Sequence, residues 1–236
     1  MRQVVLDTET TGISVSAGNR VIEIGCVELL DRRPTGRIFH RFLNPDRDSE
    51  PGALRVHGRT TEFLSDKPRI AEVVDEFLDF IRGAELVIHN AEFDLGFLDA
   101  ELERCGADYG RMLDHAAGVV DTLLLARELY PGQRVSLDLL CKRFGIDNSH
   151  RELHGALIDA ELLLDVYIGL TSGQYDLALG ANEPALPKTG RAAVAAEVRQ
   201  VRVVRASAAE LALHAARLAQ LERASGQRLW PDDVPA

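Results

Sequence analysis

Val4-Val5-Leu6-Asp7-Thr8-Glu9-Thr10-Thr11-Gly12 is an apolar run that leads directly into two carboxylates. The apolar run predicts a buried β-strand. Because side chains alternate along a strand, Asp7 and Glu9 point to the same face. Adjacent like charges repel unless a cation compensates, and carboxylate oxygens are typical ligands of divalent metals. The alternative is a strand that runs into an ordinary polar turn at residues 10 to 12.

A second strand and helix supply another acid. The segment is Leu86-Val87-Ile88-His89-Asn90-Ala91-Glu92-Phe93-Asp94, a short apolar strand that gives way to an amphipathic helical pattern. Asp94 therefore lies in the first turns of a helix. The alternative is purely structural, because Asn90 is a good N-cap and the acids at 92 and 94 favour the positive end of the helix dipole.

The third segment is His154-Gly155-Ala156-Leu157-Ile158-Asp159-Ala160, which opens a helix predicted to run to about Leu170. At 100° per residue, His154 and Asp159 would lie about 140° apart on one helix. Both can reach one site only if His154 lies at or before the helix start, with Asp159 inside the helix. Taken singly, the pair could be an ordinary helix-start histidine and a solvated acid.

Together the three segments resemble the motifs of the DEDDh family of 3′→5′ exonucleases. The residues that match, in the family's order, are Asp7 and Glu9, then Asp94, then His154 with Asp159. Within that family the likeness is to the proofreading subunits of bacterial DNA polymerase III, and it covers residues 1 to 173. The further matching blocks are Val21-Ile22-Glu23-Ile24-Gly25, Val56-His57-Gly58, residues 82 to 90 and residues 153 to 157.

This resemblance implies a metal-dependent hydrolase. The four acids Asp7, Glu9, Asp94 and Asp159 would hold two Mg²⁺ or Mn²⁺ ions at the terminal phosphodiester, and His154 would accept the proton of the attacking water. The product would be a nucleoside 5′-monophosphate. The substrate contacts implied are Asp7, Thr8, Glu9, Val56, His57, Asn90 and Asp159. The chain departs from the pattern at Gly52, where the resembled subunits have a substrate-contacting Glu.

The coarse pattern of elements predicts an α/β domain, with a strand meander followed by alternating strands and helices. The resemblance implies that this is a ribonuclease-H-like mixed five-stranded sheet flanked by helices. An expected hairpin turn covers Arg33-Pro34-Thr35-Gly36. The strands expected are 3 to 8, 21 to 30, 37 to 43, 85 to 89 and 119 to 121, and the helices are 69 to 82, 91 to 105, 122 to 130, 137 to 144 and 157 to 170.

The net charge of the 236-residue chain is −10, which is unusual for a nucleic-acid enzyme. Residues 1 to 173 hold 19 Lys and Arg against 30 Asp and Glu. This domain should bind DNA poorly without metals and a delivering partner. The cysteines at 26, 105 and 141 have no metal-like spacing and predict reduced core residues. With no secretory signal and no long apolar run, a cytoplasmic protein is expected.

After residue 173 the amino-acid composition changes. Residues 174 to 179 resemble a sliding-clamp-binding peptide through Gln174, Leu177 and Leu179, and the Pro- and Gly-containing stretch up to 191 indicates a flexible linker. Residues 192 to 236 are expected to be a docking tail, with an amphipathic helix from Ala208 to Ala224. The resemblance implies that it binds the alpha subunit of DNA polymerase III. Its expected anchors are Leu211, Leu218, Leu221 and Trp230.

Two rival functions fit parts of this pattern. A free RNA-trimming exonuclease of the same fold could carry all five motif residues, although the linker and tail argue against it. A non-catalytic tether between polymerase and clamp would need only the C-terminal segments, and the intact motifs argue against that. Nuclease assays on DNA and RNA oligomers separate the three possibilities.

Overall fold

The computed structural model describes residues 1–149, 153–172 and 206–226. The chain divides into two compact units, Met1–Leu179 and Gly180–Ala236. The predicted boundaries at 173 and 191, the clamp peptide, the linker and Trp230 lie outside the described residues. None of the described helices is both long enough and apolar enough to cross a membrane.

The first unit is built on a mixed five-stranded sheet with the order β3-β2-β1-β4-β5. The antiparallel meander of β1, β2 and β3 forms one half, and β4 and β5 run parallel to β1 in the other. This confirms the predicted fold class, with β1 at the centre. The strands are β1 Arg2–Thr10, β2 Val21–Leu30, β3 Arg33–Phe42, β4 Glu85–Ile88 and β5 Gly118–Asp121.

Helices cover both faces of the sheet. They are α1 Pro51–His57, α2 Thr61–Leu64, α3 Ile70–Ile81, α4 Ala91–Cys105, α5 Met112–His115, α6 Thr122–Leu129, α7 Leu137–Phe144 and α8 Ala156–Thr171. The five helices predicted in this unit are all present, within one or two residues at each end. The short α1, α2 and α5 have no pattern long enough to predict them from sequence.

Alternation along β1 divides the core into two clusters. Val4 and Leu6 pack with α3 and α4 on one face of the sheet, and Val5 packs with α7 and α8 on the other. The same alternation must continue past Leu6, so Thr8 follows the α4 face whereas Asp7 and Glu9 follow the α8 face. The polar end of β1 can therefore contact elements from both layers.

The hairpin between β2 and β3 turns at a different place from the one predicted. Asp31 and Arg32 both have left-handed backbone, with φ of 48° and 65°, and β3 already begins at Arg33. Two successive left-handed residues form the kind of two-residue turn that matches the twist of a hairpin. The Pro34 and Gly36 turn signal was misleading, because β3 is an edge strand and tolerates proline.

The start of α4 also differs from the prediction. Asn90 has left-handed backbone with φ 73°, and its side chain makes no capping hydrogen bond. Instead the carboxylate of Asp121 accepts from the backbone N–H groups of Asn90 at 3.2 Å and Ala91 at 3.0 Å. Asp121 also accepts from Leu123 N–H at the start of α6. One carboxylate therefore caps two helices, because parallel β4 and β5 end side by side.

The three cysteines are free, as the sequence predicted. Cys26 and Cys141 are buried, and burial raises the pKa of the Cys26 thiol. Cys105 is partly buried at the end of α4, where it packs against the edge of the core.

In the second unit, the described segment is the helix α9, Ala208–Ser225. It confirms the predicted helix at 208 to 224. Ser207 and Glu210 form a capping box at its start, and Gly226 ends it with left-handed backbone. None of its residues is buried, and Leu211 and Leu221 are 57% and 37% exposed.

Candidate active site

Thr8 joins the central strand to Asp94 of α4. The Thr8 N–H donates to Asp94 Oδ1 at 3.1 Å, and the Thr8 hydroxyl donates to the same oxygen at 2.7 Å. These bonds place the Asp94 carboxyl beside the residue that separates Asp7 from Glu9. Asp94 is thereby tied to the polar end of β1, the strand that carries Asp7 and Glu9.

The environment of Asp94 is unfavourable to an isolated negative charge. Its side chain is 3% exposed, and burial raises the pKa of Asp94 to about 7, even though the two bonds from Thr8 favour the charged form. A buried carboxyl next to further acids is stabilised in its charged form by a bound cation. The electrostatics thus fit a site made to hold positive charge.

Glu9, His154 and Asp159 form the compact part of the site. One ligand atom from each lies within 4.8 Å of the others, and His154 Nδ1 lies 3.5 Å from Asp159 Oδ2. Asp159 is 3% exposed, whereas the His154 side chain is 44% exposed. The group therefore combines a buried carboxylate with a partly solvated imidazole.

The geometry of α8 explains why His154 can reach Asp159. The helix begins at Ala156 with Gly155 as its N-cap, so His154 lies before the first turn and escapes helical spacing. Asp159 is in the first turn, where its N–H donates to Gly155 O at 2.9 Å. The predicted arrangement, with the histidine ahead of the helix and the acid within it, is confirmed.

The remaining predicted substrate residues differ in exposure. Val56 is 43% exposed and Asn90 is exposed, whereas Thr8 is 7% exposed and its hydroxyl bonds to Asp94. His57 is 1% exposed, so its side chain lies beneath the surface. Nothing lies within 4 Å of the position a Cβ would take at Gly52.

A neighbouring hydrogen bond fixes the tautomer of the neutral His57 ring. Its Nδ1 accepts a hydrogen bond from the Arg59 N–H at 2.9 Å, which leaves the proton of the neutral ring on Nε2. Burial, and after it the charge of Arg59, lowers the pKa of His57. This imidazole is therefore a neutral donor at physiological pH.

The sequence did not single out Gly25, which controls how closely α8 approaches the sheet. A Cβ at Gly25 would lie 2.3 Å from the backbone of Ala156 and Leu157, so only glycine admits the helix start at this distance. Glu23 and Arg59, which lie under the same helix start, were also missed. The available signal was a glutamate and a glycine within the otherwise apolar strand Val21-Ile22-Glu23-Ile24-Gly25.

Comparison with known proteins agrees with this geometry. The RNase_T family model, described as exonuclease, matches residues 4–167. DNA polymerase III subunit epsilon of Salmonella typhimurium is 50% identical over 236 residues, covering 97% of each chain. The chain belongs to the family of DNA polymerase III epsilon subunits. The Escherichia coli family member is 49% identical over 236 residues, again with 97% of each chain covered.

Solved structures support the fold of the epsilon-family domain. Exonuclease X in complex with 5′ overhanging duplex DNA has a TM-score of 0.56 and 26% identity, and covers 73% of this chain and 92% of its own. Exonuclease I of E. coli bound to single-stranded DNA has a TM-score of 0.60 at 17% identity, covering 73% of this chain and 41% of its own. The second likeness shows the fold alone.

Proposed function

We propose that this epsilon-family exonuclease removes mismatched 3′-terminal nucleotides from DNA and releases them as 5′-monophosphates. The observation that carries the proposal is the convergence of Glu9, His154 and Asp159 within 4.8 Å at the end of the central strand. Asp94 is tied to Thr8 on the same strand end, and we assign it and Asp7 to the same reaction centre. Membership of the family supports the type of reaction, and these residues are the groups to which we assign metal binding and proton transfer.

The donor set fits divalent metal ions. Asp7, Glu9, Asp94 and Asp159 offer carboxylate oxygens, the ligands that Mg²⁺ and Mn²⁺ prefer, and burial raises the pKa of Asp94 to about 7, so a bound cation would favour its charged form. We assign these four acids as the residues that would hold two such ions. When bound, the ions would offset the charge that develops on the phosphodiester during hydrolysis.

His154 is assigned as the general base. Imidazole exchanges protons near neutral pH, and this ring is partly open to solvent, where a water can reach it. Its Nδ1 faces Asp159, which orients the ring and leaves Nε2 as the atom we assign to the proton transfer. Asp159 would thus both hold metal and orient the base.

The substrate end is assigned to the surface beside His154. The exposed apolar side chain of Val56 is suited to contact the terminal base, and His57 offers its Nε2 proton once the bound end displaces the covering residues. Thr8 and Asn90 complete the assigned contacts. A mismatched terminus costs less to fray than a paired one, so preference for mismatches follows from a site that accepts single strands.

The partners are assigned from the charge and the C-terminal segments. The acidic first domain lacks the Lys and Arg surplus that non-specific DNA affinity requires. A polymerase alpha subunit bound through residues 192 to 236, and a sliding clamp bound through Gln174, Leu177 and Leu179, would deliver the exonuclease to the primer end. This supports a subunit of a polymerase rather than a free trimming enzyme.

The test is hydrolysis of a 5′-labelled DNA primer with a mismatched 3′ end in the presence of Mg²⁺. We expect stepwise shortening by the purified chain, slower shortening of an all-RNA oligomer, and none by Asp7→Ala or Asp159→Ala. Asp108→Ala, which removes an exposed acid, is the control with full activity expected. Wild-type rates in either site variant would refute the metal assignment, and faster RNA cleavage would favour an RNA-trimming enzyme.

A further inference from the structure

Beneath the loop that carries His154 lies a buried ion pair between Glu23 of β2 and Arg59, just after α1. We propose that this pair holds the His154 loop in its working position, so that Arg59 is a positioning residue for the hydrolysis. The inference rests on the proposed role of His154 as general base. It adds two side chains that belong neither to the assigned metal ligands nor to the assigned substrate contacts.

Glu23 is the cross-strand neighbour of Glu9. The two residues are paired in the register of β1 and β2, so both side chains project from the same face of the sheet. Directly opposed like charges destabilise a sheet unless they are separated or compensated. Glu23 is 1% exposed, and its carboxylate accepts from His40 Nε2 at 2.8 Å and pairs with Arg59 Nε at 3.5 Å. The Glu23 carboxylate thus has a hydrogen-bond partner and a cationic partner.

Arg59 is held by more than Glu23. Its guanidinium lies over the ring of Phe42 at 5.0 Å and over the ring of Phe63 at 5.9 Å. A planar guanidinium can stack on aromatic rings while one edge faces a carboxylate, which a lysine ammonium cannot do. Only 27% of the Arg59 side chain is exposed. The head group is therefore fixed in place by rings and a carboxylate.

The pair supports the residue next to His154. A Cβ built at Gly155 would lie 3.3 Å from Arg59 Nη2 and 3.7 Å from Glu23 Oε1, so the backbone of Gly155 rests directly on the two charged groups. The φ of Gly155 is −156°, an extended value open to any residue. A side chain at this position would therefore press on the guanidinium without straining the backbone.

A second connection runs through the end of α1. The Arg59 N–H donates to His57 Nδ1, and the His154 N–H donates to the carbonyl of Val56 at 3.1 Å. A Cβ at Gly58 would lie 2.5 Å from Leu153 Cδ1, so the residue before His154 packs onto this turn. The chain on both sides of His154 is therefore anchored to the turn that Arg59 closes.

Loss of the guanidinium should loosen this support without removing any reacting group. A base that samples positions about 1 Å away from the productive one loses up to about 100-fold in rate. We therefore expect Arg59→Met to lower kcat about 10- to 100-fold, with KM for a single-stranded oligonucleotide within about 2-fold of wild type. Mn²⁺ affinity, measured by titration calorimetry, should be unchanged because the four acids remain.

The deciding experiment places Arg59→Met in the wild-type and His154→Ala backgrounds. If Arg59 acts through His154, it costs the full factor in wild type and nothing further in His154→Ala. Arg41→Met is the matched control, since Arg41 also stacks on a ring, Phe39 at 5.1 Å, and pairs with an exposed glutamate, Glu76. It should leave kcat unchanged in both backgrounds.

Each other outcome has a distinct meaning. An equal loss in both backgrounds, or a change confined to KM, would overturn the positioning role and indicate a structural effect or a direct substrate contact. A His154→Ala enzyme with the wild-type rate would instead refute the proposed general base. If Arg59→Met does not fold by circular dichroism, Arg59→Lys in the same two backgrounds decides, because it keeps the charge but cannot stack and pair together.

Discussion

Thr8 gives both its backbone N–H and its hydroxyl to the same oxygen of Asp94, at 3.1 and 2.7 Å. These bonds cross from the central strand to α4 between the two strand acids. They fix the orientation of a carboxylate that has 3% exposure and whose pKa is raised to about 7. The bonds from Thr8 lower the pKa of Asp94 and burial raises it, and burial has the larger effect.

The first prediction concerns stability without metal. A carboxyl whose pKa is higher in the folded than in the unfolded chain stabilises the fold while protonated, and this contribution is lost as pH rises from about 4 to about 7. Asp94→Asn keeps an acceptor for Thr8 but cannot ionise. In EDTA we expect the variant to be more stable than wild type at pH 8, by up to about 4 kcal/mol, and similar at pH 4.

Calorimetric melting between pH 4 and pH 8 measures this difference. Mg²⁺ should narrow it at pH 8, because bound cations stabilise the charged carboxylate of the wild type. Glu92→Gln, which removes an exposed acid on the same helix, is the control. Its difference in stability from wild type should not grow between pH 4 and pH 8. A wild-type melting temperature that rises relative to Asp94→Asn toward pH 8 in EDTA would contradict the prediction.

The second prediction concerns His154. A positioned general base contributes about 10²- to 10⁴-fold, so His154→Ala should lower kcat by that factor. Metal affinity should change little, because the acids remain. The pH–rate profile of His154→Ala in Mg²⁺ should lack the rise in rate that accompanies deprotonation of the base. His214→Ala in α9 removes an exposed histidine and should behave as wild type on a free oligonucleotide.

The sequence predicted the elements whose signals are local. The alternation of Val4, Val5 and Leu6 places Asp7 and Glu9 on one face. Helical spacing set the condition that His154 must precede its helix to share a site with Asp159, and the structure meets it. Glu9, His154 and Asp159 converge as expected, whereas Asp7 and Asp94 are not part of their cluster.

In two places, contacts between residues far apart in the chain could not be predicted from local sequence. Asn90 has the composition of an N-cap, but the α4 cap comes from Asp121, about 30 residues away. The Glu23 and Arg59 pair depends on strand register and on the α1 turn, neither of which leaves a local pattern. Such contacts can be identified only from the three-dimensional structure.

The third prediction contrasts two glycines. Gly25→Ala should destabilise the fold by about 1 to 3 kcal/mol, because its methyl group would lie 2.3 Å from the backbone of α8. Gly96→Ala lies within α4 with nothing inside 4 Å and should stabilise by about 0.5 to 1 kcal/mol. Urea denaturation of both variants measures the contrast. Equal stability would refute the close approach at Gly25.

The fourth prediction concerns the proposed clamp peptide. Replacing Gln174, Leu177 and Leu179 together with alanine should weaken binding to a sliding clamp, because the peptide would lose both its amide and its apolar anchors. Hydrolysis of a free oligonucleotide should be unaffected, since the three residues lie outside the acids and the base. Surface plasmon resonance on immobilised clamp measures the affinity, and equal affinity of the two proteins would refute the assignment.

The last prediction concerns the tail. Leu211, Leu218 and Leu221 lie on one side of α9, and Leu211 is 57% exposed. Exposed leucines gathered on one helix face are suited to dock on a partner. With a linker of about 12 residues, which spans roughly 20 Å, a docked tail would hold the exonuclease near the primer at about millimolar effective concentration.

Truncation after Gly190 should therefore abolish co-migration with the polymerase alpha subunit on a sizing column at micromolar concentration, while hydrolysis of short single strands is kept. Within the full chain, Leu211→Ala with Leu218→Ala should weaken binding, because each removes an apolar anchor. Leu213→Ala is the matched control, since Leu213 is 72% exposed but lies about 130° from the centre of that face. If the truncated chain still co-migrates with the polymerase, the tether lies in the exonuclease domain, and the acidic domain must bind the polymerase directly.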